Sequence, residues 1–102
     1  MEVRRLTKAH AAAISDCFHR VYGESYANDI FYDLDRLANA LEEERLCSVG
    51  AIADDGRLMG HMAMTLHPGA RHAELGNTVV DPAARGGGLA WQIGSALTEW
   101  TV

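Results

Sequence analysis

The sequence predicts an α+β domain, a mixed and mainly antiparallel sheet flanked by helices in three layers. Three observations predict it. Apolar residues recur at helical spacing through most of the first half, and from Ser48 the pattern changes to short apolar runs bounded by turn residues. A cluster of consecutive glycines then joins the last run to a final helical stripe.

Residues 3–6 read as a short strand, and Thr7 can cap a helix whose residues Ala11, Ile14, Phe18, Val21 and Tyr22 share one face. That helix should stop near Gly23. Residues 23–33 mix Gly, Ser, Asn and Asp with Tyr26, Ile30, Phe31 and Tyr32, the composition of a loop with a partly buried aromatic lining. Asp33 or Asp35 should start a second helix, with Leu34, Leu37, Ala38 and Leu41 on one face. Residues 49–53 and Leu58–Leu66 form a hairpin around the turn chemistry of Asp54, Asp55, Gly56 and Arg57. A turn over residues 67–71 leads to a third strand, Ala73–Val80, which Asp81 and Pro82 end. After the glycines, Leu89, Ile93, Ala96, Leu97 and Trp100 give the last helix.

The chain has 102 residues, enough for one domain, and is 48% hydrophobic and 23% charged, which suits a folded protein and not a disordered one. Its net charge of −5, without any run of Lys or Arg, excludes nucleic acid as a primary partner. Glu42, Glu43 and Glu44 read as a solvated helix face. Met1, Glu2, Val3, Arg4 and Arg5 lead into no signal-peptide core and no apolar stretch has the length of a membrane span, so no membrane partner and a cytoplasmic location are expected. Cys17 and Cys47 lack metal or redox spacing and read as buried thiols. His67 and His72 flank a turn with no third ligand, so no metal site is expected.

The most informative segment is Val79, Val80, Asp81, Pro82, Ala83, Ala84, Arg85, Gly86, Gly87, Gly88, Leu89 and Ala90. Three glycines remove the Cβ atoms at the mouth of a helix, so backbone N–H groups can close on an anion where the helix adds its own partial positive charge. A P-loop would need Gly-Lys-Ser/Thr, but Leu89 and Ala90 follow Gly88. A dinucleotide fingerprint would need a small residue where Trp91 stands, within a parallel βαβ unit. An RGG-type RNA segment would be repeated, basic and disordered. The plainest remaining alternative is a tight connection that binds nothing.

Arg85, Gly88 and Ala90 match the Arg/Gln-x-x-Gly-x-Gly/Ala signature of the GNAT N-acetyltransferase superfamily, and the order of elements along essentially the whole chain is similar to that family's. The resemblance implies that the N–H groups of Arg85, Gly86, Gly87, Gly88, Leu89 and Ala90 grip the diphosphate of acetyl-coenzyme A. It implies too that main-chain groups of Thr78, Val79 and Val80 meet the pantetheine arm, as an added strand would. In that family the acetyl group passes directly from the coenzyme to an amine, here of an unidentified acceptor. A complete domain of the family continues past the last helix with a further strand, a helix that often supplies a tyrosine acid, and a closing hairpin. Residues 1–102 are therefore expected to be a partial domain, truncated after the pyrophosphate-loop helix. Its open edge along Ala73–Val80 is expected to be covered by a homodimeric contact, by strand exchange or by the missing C-terminal segment. The alternative function is a non-catalytic acyl-coenzyme A sensing or interaction module.

An ammonium acceptor must lose a proton before it attacks a thioester. Glu74, at the start of the strand beside the coenzyme, stands where some family members keep a general base; the plainer reading is an exposed strand residue. Pairing across a turn at Gly69 and Ala70 would place Thr65 opposite Glu74 and His61 opposite Thr78, making His61 a second proton-transfer candidate, although sheet histidines are more often structural. Tyr22, Tyr26 and Tyr32, with Phe31, fall where the family often walls its acceptor site; packing explains them more simply.

Overall fold

In a computed structural model the chain is described over residues 1–66 and 73–101, the side chains of residues 100 and 101 excepted. The expected turn over 67–71, with His67, Gly69, Ala70 and His72, and the side chain of Trp100 lie outside the described residues. The order is β1 (Glu2–Arg5), α1 (Ala11–Tyr22), α2 (Leu34–Glu42), β2 (Leu46–Ile52), β3 (Leu58–Leu66), β4 (Ala73–Val80) and α3 (Leu89–Thr101). The strands form one sheet in the order β1-β2-β3-β4, and every described pairing is antiparallel.

Local chemistry places these elements. Thr7 and His10 form a reciprocal cap ahead of α1, with the Thr7 N–H donating to His10 Nδ1 at 2.9 Å. Ile14, Cys17 and Phe18 recur on the buried face of α1, and Gly23, at φ +60°, ends it with its N–H on the His19 carbonyl. Asp33 caps α2 through the Arg36 N–H at 3.2 Å.

One core lies between the sheet and α1 and α2, built on Ile14, Phe18, Phe31, Leu37, Leu41 and Ala63. A second lies on the opposite face, where Leu89, Ile93 and Leu97 of α3 pack on Val49, Ala51 and Met59. Each fully buried Leu, Ile, Val or Phe among these contributes about 1.5–3 kcal/mol. The sheet is thus the middle of three layers, as the sequence predicts. Gly60 lets α3 approach closely: a Cβ there would stand 2.7 Å from Ile93 Cδ1.

Three boundaries differ from expectation. The first strand runs one residue earlier, since Glu2 finds a partner in Ile52, and Leu6 just past its end is buried with its N–H on the Ser48 carbonyl at 2.8 Å. The second begins at Leu46 and not at residue 49, since Leu46 and Cys47 find partners in Thr65 and Met64. The loop after α1 contains a 3-10 turn, Asp29–Tyr32, started by the Asn28 side chain.

Candidate active site

β4 delivers the chain to the glycine turn. Asp81 follows it and is partly buried; its Oδ1 accepts from the Ala83 N–H at 2.9 Å, starting the short turn Pro82–Ala84. Its Oδ2 accepts from Arg20 of α1, whose other guanidinium nitrogens donate to Asp16 at 2.9 Å and to the Leu58 carbonyl at 2.6 Å. Arg20 therefore ties α1 and β3 to the end of β4. Arg85 folds back, with Nε donating to the Val80 carbonyl at 3.1 Å.

Beyond it the backbone takes left-handed angles at Gly86, φ +92°, and Gly88, φ +74°, which only glycine adopts without strain. A Cβ built on Gly86, Gly87 or Gly88 would meet nothing within 4 Å. The hydrogen bond from Gln92 N–H to the Gly88 carbonyl, 3.1 Å, opens α3; donors ahead of it are those a helix leaves without intrahelical partners. A cavity of about 270 Å³ opens here, lined by Val80, Ala84, Arg85, Gly86, Gly88, Leu89 and Ala90. Open space, free donors and the positive end of a helix make this a place for an anion such as a diphosphate. Arg85 is held to backbone, so the glycine main chain faces that space more directly than the side-chain charge does.

The strand before the turn is irregular. Glu74 lies opposite Thr65 as expected, but His61 lies opposite Val79, not Thr78. Between them β4 carries one residue more than β3, a bulge at Asn77 and Thr78, with Asn77 in the left-handed region at φ +53°. The extra residue shifts every later pairing by one, which is why the expected register fails. Asparagine is the commonest non-glycine residue in that region, and it was the one available sign of the bulge.

His61 is fully buried, with Nδ1 2.8 Å from the Asn77 carbonyl and Nε2 3.0 Å from Ser48 Oγ. A carbonyl only accepts, so Nδ1 carries the proton and Nε2 accepts from the Ser48 hydroxyl. Burial lowers the imidazole pKa to about 4, against a smaller opposing effect of the Asn77 hydrogen bond. The ring is neutral at physiological pH and both nitrogens are engaged. Glu74 is exposed at the start of β4.

The aromatic residues meet the same strand. Tyr22 Oη donates to the Thr78 carbonyl at 3.2 Å, and Tyr26 Oη donates to Asn77 Oδ1 at 2.9 Å. Tyr32 Oη instead accepts from the Tyr26 N–H at 3.1 Å. Phe18 stacks on Phe31 at 4.2 Å, and Tyr26 lies 4.7 Å from Phe18. Burial raises the Tyr26 pKa, and it raises Cys17 to about 11, so that thiol is no nucleophile. Among the described residues no group of three or more His, Cys, Asp or Glu side chains could hold a metal ion. Arg20, Asp81, Ser48 and Asn77 did not stand out in the sequence as site residues. Arg20 shows only its Asp16 partner one helical turn away; its contact with Asp81 is a product of the fold.

Comparison with known proteins agrees with this geometry. The model of the Acetyltransferase (GNAT) family matches residues 9–102. No curated protein matches in sequence. Among solved structures, an acetyltransferase of Trypanosoma brucei is similar at TM-score 0.72 and 18% identity, covering 97% of this chain and 72% of that one. A predicted acetyltransferase with acetyl-CoA from Clostridium acetobutylicum reaches TM-score 0.74 at 17% identity, covering 97% of this chain and 71% of its own. An aminoglycoside 6'-N-acetyltransferase complexed with coenzyme A gives TM-score 0.72 at 17% identity; this chain is 98% covered and spans 54% of that protein.

Proposed function

This chain belongs to the GNAT acetyltransferase family, and from that membership we propose that it binds acetyl-coenzyme A and serves transfer of the acetyl group to an amine. The observation that carries the reading is the open glycine turn at the N-terminus of α3, set at the end of β4. The N–H groups of Gly86, Gly87, Gly88, Leu89 and Ala90 hold the diphosphate; the Arg85 N–H, expected to join them, already donates to the Pro82 carbonyl at 3.4 Å. Main-chain groups of β4 toward Val79 and Val80 flank the pantetheine arm; the Thr78 carbonyl already accepts from Tyr22.

The reaction needs a neutral amine. Glu74 takes its proton, through a water because a carboxylate is a weak base toward an ammonium. The amine nitrogen then bonds to the thioester carbonyl carbon, and collapse of the tetrahedral adduct breaks the C–S bond and expels the coenzyme thiolate, which takes up the proton that the nitrogen sheds to become the amide. The chain spans 72% and 54% of two of the similar structures. No described helix is long and apolar enough to cross a membrane, and the proposed place of action is the cytoplasm.

The second reading is a non-catalytic acyl-coenzyme A sensing or interaction module, which the same open glycine turn would also serve. Calorimetric titration with coenzyme A, followed by an assay of thiol release from acetyl-coenzyme A with a panel of primary amines, separates the readings. Binding with amine-dependent thiol release is expected. Binding without release selects the sensing module, and no binding overturns both.

A further inference from the structure

We infer that His61, Ser48, Tyr22 and Tyr26 are positioning residues that clamp the β4 bulge and thereby set the strand segment facing the coenzyme's pantetheine arm; this rests on the coenzyme reading above. A bulge breaks the ladder and leaves polar groups that must find other partners. Here two such carbonyls, and the side chain of the bulged Asn77 itself, are met by side chains from separate elements. The Asn77 carbonyl accepts from His61 of β3, Asn77 Oδ1 accepts from Tyr26 of the loop after α1, and the Thr78 carbonyl accepts from Tyr22 of α1. Ser48 of β2 stands behind His61 and donates to Nε2, the nitrogen that the Asn77 carbonyl leaves without a proton by taking the Nδ1–H. Phe18 and Phe31 hold the imidazole edge-on, with centroids 5.4 and 5.5 Å away.

Ser48 and His61 are both fully buried at the centre of the sheet. Burying two polar groups carries a desolvation cost that an apolar pair would avoid, so packing alone does not explain them. The bulge does have a consequence that needs holding. In a regular strand, residues an odd number of positions apart face opposite ways. With the extra residue, Val79 joins the core beneath α1 and α2, on the face of Glu74 through its Thr65 pairing, while Val80 packs with the α3 layer. The clamp thus fixes how the proton-removing end of β4 is oriented against the end that leads to the diphosphate turn.

Two mild variants test this, Ser48→Ala and Tyr22→Phe, each removing one hydroxyl with little change of volume. Calorimetry would measure affinity for coenzyme A and for adenosine 3'-phosphate 5'-diphosphate, which keeps the diphosphate and lacks pantetheine. Each variant should weaken coenzyme A about tenfold, as loss of one useful hydrogen bond does, and leave the fragment within about twofold. Ring-nitrogen NMR should show His61 as the Nδ1–H tautomer in the parent and still so in Ser48→Ala, where the Asn77 carbonyl continues to require it, with the Nε2 resonance shifted by loss of the hydroxyl donor. Equal losses for both ligands, no loss for either, or an Nε2–H tautomer in the parent would each overturn the clamp. A parent that binds neither ligand would overturn the coenzyme reading itself, which the tautomer measurement does not depend on.

Discussion

His61 illustrates how a single side chain couples the site to solution conditions. Its ordinary pKa of 6.5 applies to the unfolded chain, and about 4 applies in the fold. Between those values the unfolded chain takes up a proton that the folded chain refuses. Its contribution is therefore complete above about pH 6.5 and is lost as pH falls toward 4, by up to ~3 kcal/mol. Urea midpoints measured across that window should fall more steeply for the parent than for His61→Gln. Glu74 is tested by kinetics: Glu74→Gln keeps the shape and removes the base, so transfer should drop roughly 10²–10⁴-fold with coenzyme affinity unchanged. An unaltered rate across pH would remove Glu74 from the mechanism. At the glycine turn, Gly88→Val forces a branched side chain into a backbone at φ +74°, costing about 1–2 kcal/mol, and crowds the anion space. Arg85→Ala removes one bond to the Val80 carbonyl and leaves the N–H donors in place. Calorimetry should show the glycine change weakening coenzyme A more; the reverse order would put affinity in the side-chain charge.

Among elements, the junction of α3 with β3 decides where the helix N-terminus lies. Gly60→Val would press into Ile93 Cδ1, at 2.7 Å, and Leu89 Cδ2, at 3.2 Å, and overpacking of this kind costs about 1–3 kcal/mol. Ile93→Val removes the atom in conflict, so the double variant should be more stable than the two single losses predict, a coupling that a denaturation cycle measures. Much of this level was legible in the sequence. The helical stripes of α1 and α3 and the turn chemistry of Asp55 and Gly56 are local signals, and they placed those elements correctly. The pairing of Thr65 with Glu74 was legible as well, lying at the ends of β3 and β4 that follow each other in sequence. His61 was misplaced by one position because a bulge at Asn77 is a compromise among three elements, and alternation along a strand carries no trace of it. The phenol partners of Tyr22 and Tyr26 were hidden for the same reason: periodicity tells which ring is buried and nothing about what its hydroxyl reaches.

At the level of the whole molecule, β4 is the edge of the described sheet, and beside it Leu75 is 59% and Trp91 76% exposed. An open edge next to apolar side chains favours pairing with another strand. Sedimentation should show association that grows with concentration, and Leu75→Lys should shift it toward monomer. The strand order also has a consequence in time. β2, β3 and β4 follow one another as neighbours, whereas β1 reaches its described partner, with Glu2 opposite Ile52, after both helices of the first half have intervened. Closing that long segment costs more chain entropy than closing a hairpin, so β1 should join last. In stopped-flow experiments Val3→Ala should then hasten unfolding and leave the refolding rate almost untouched, while Val49→Ala, in the strand that the hairpin builds on, should slow refolding.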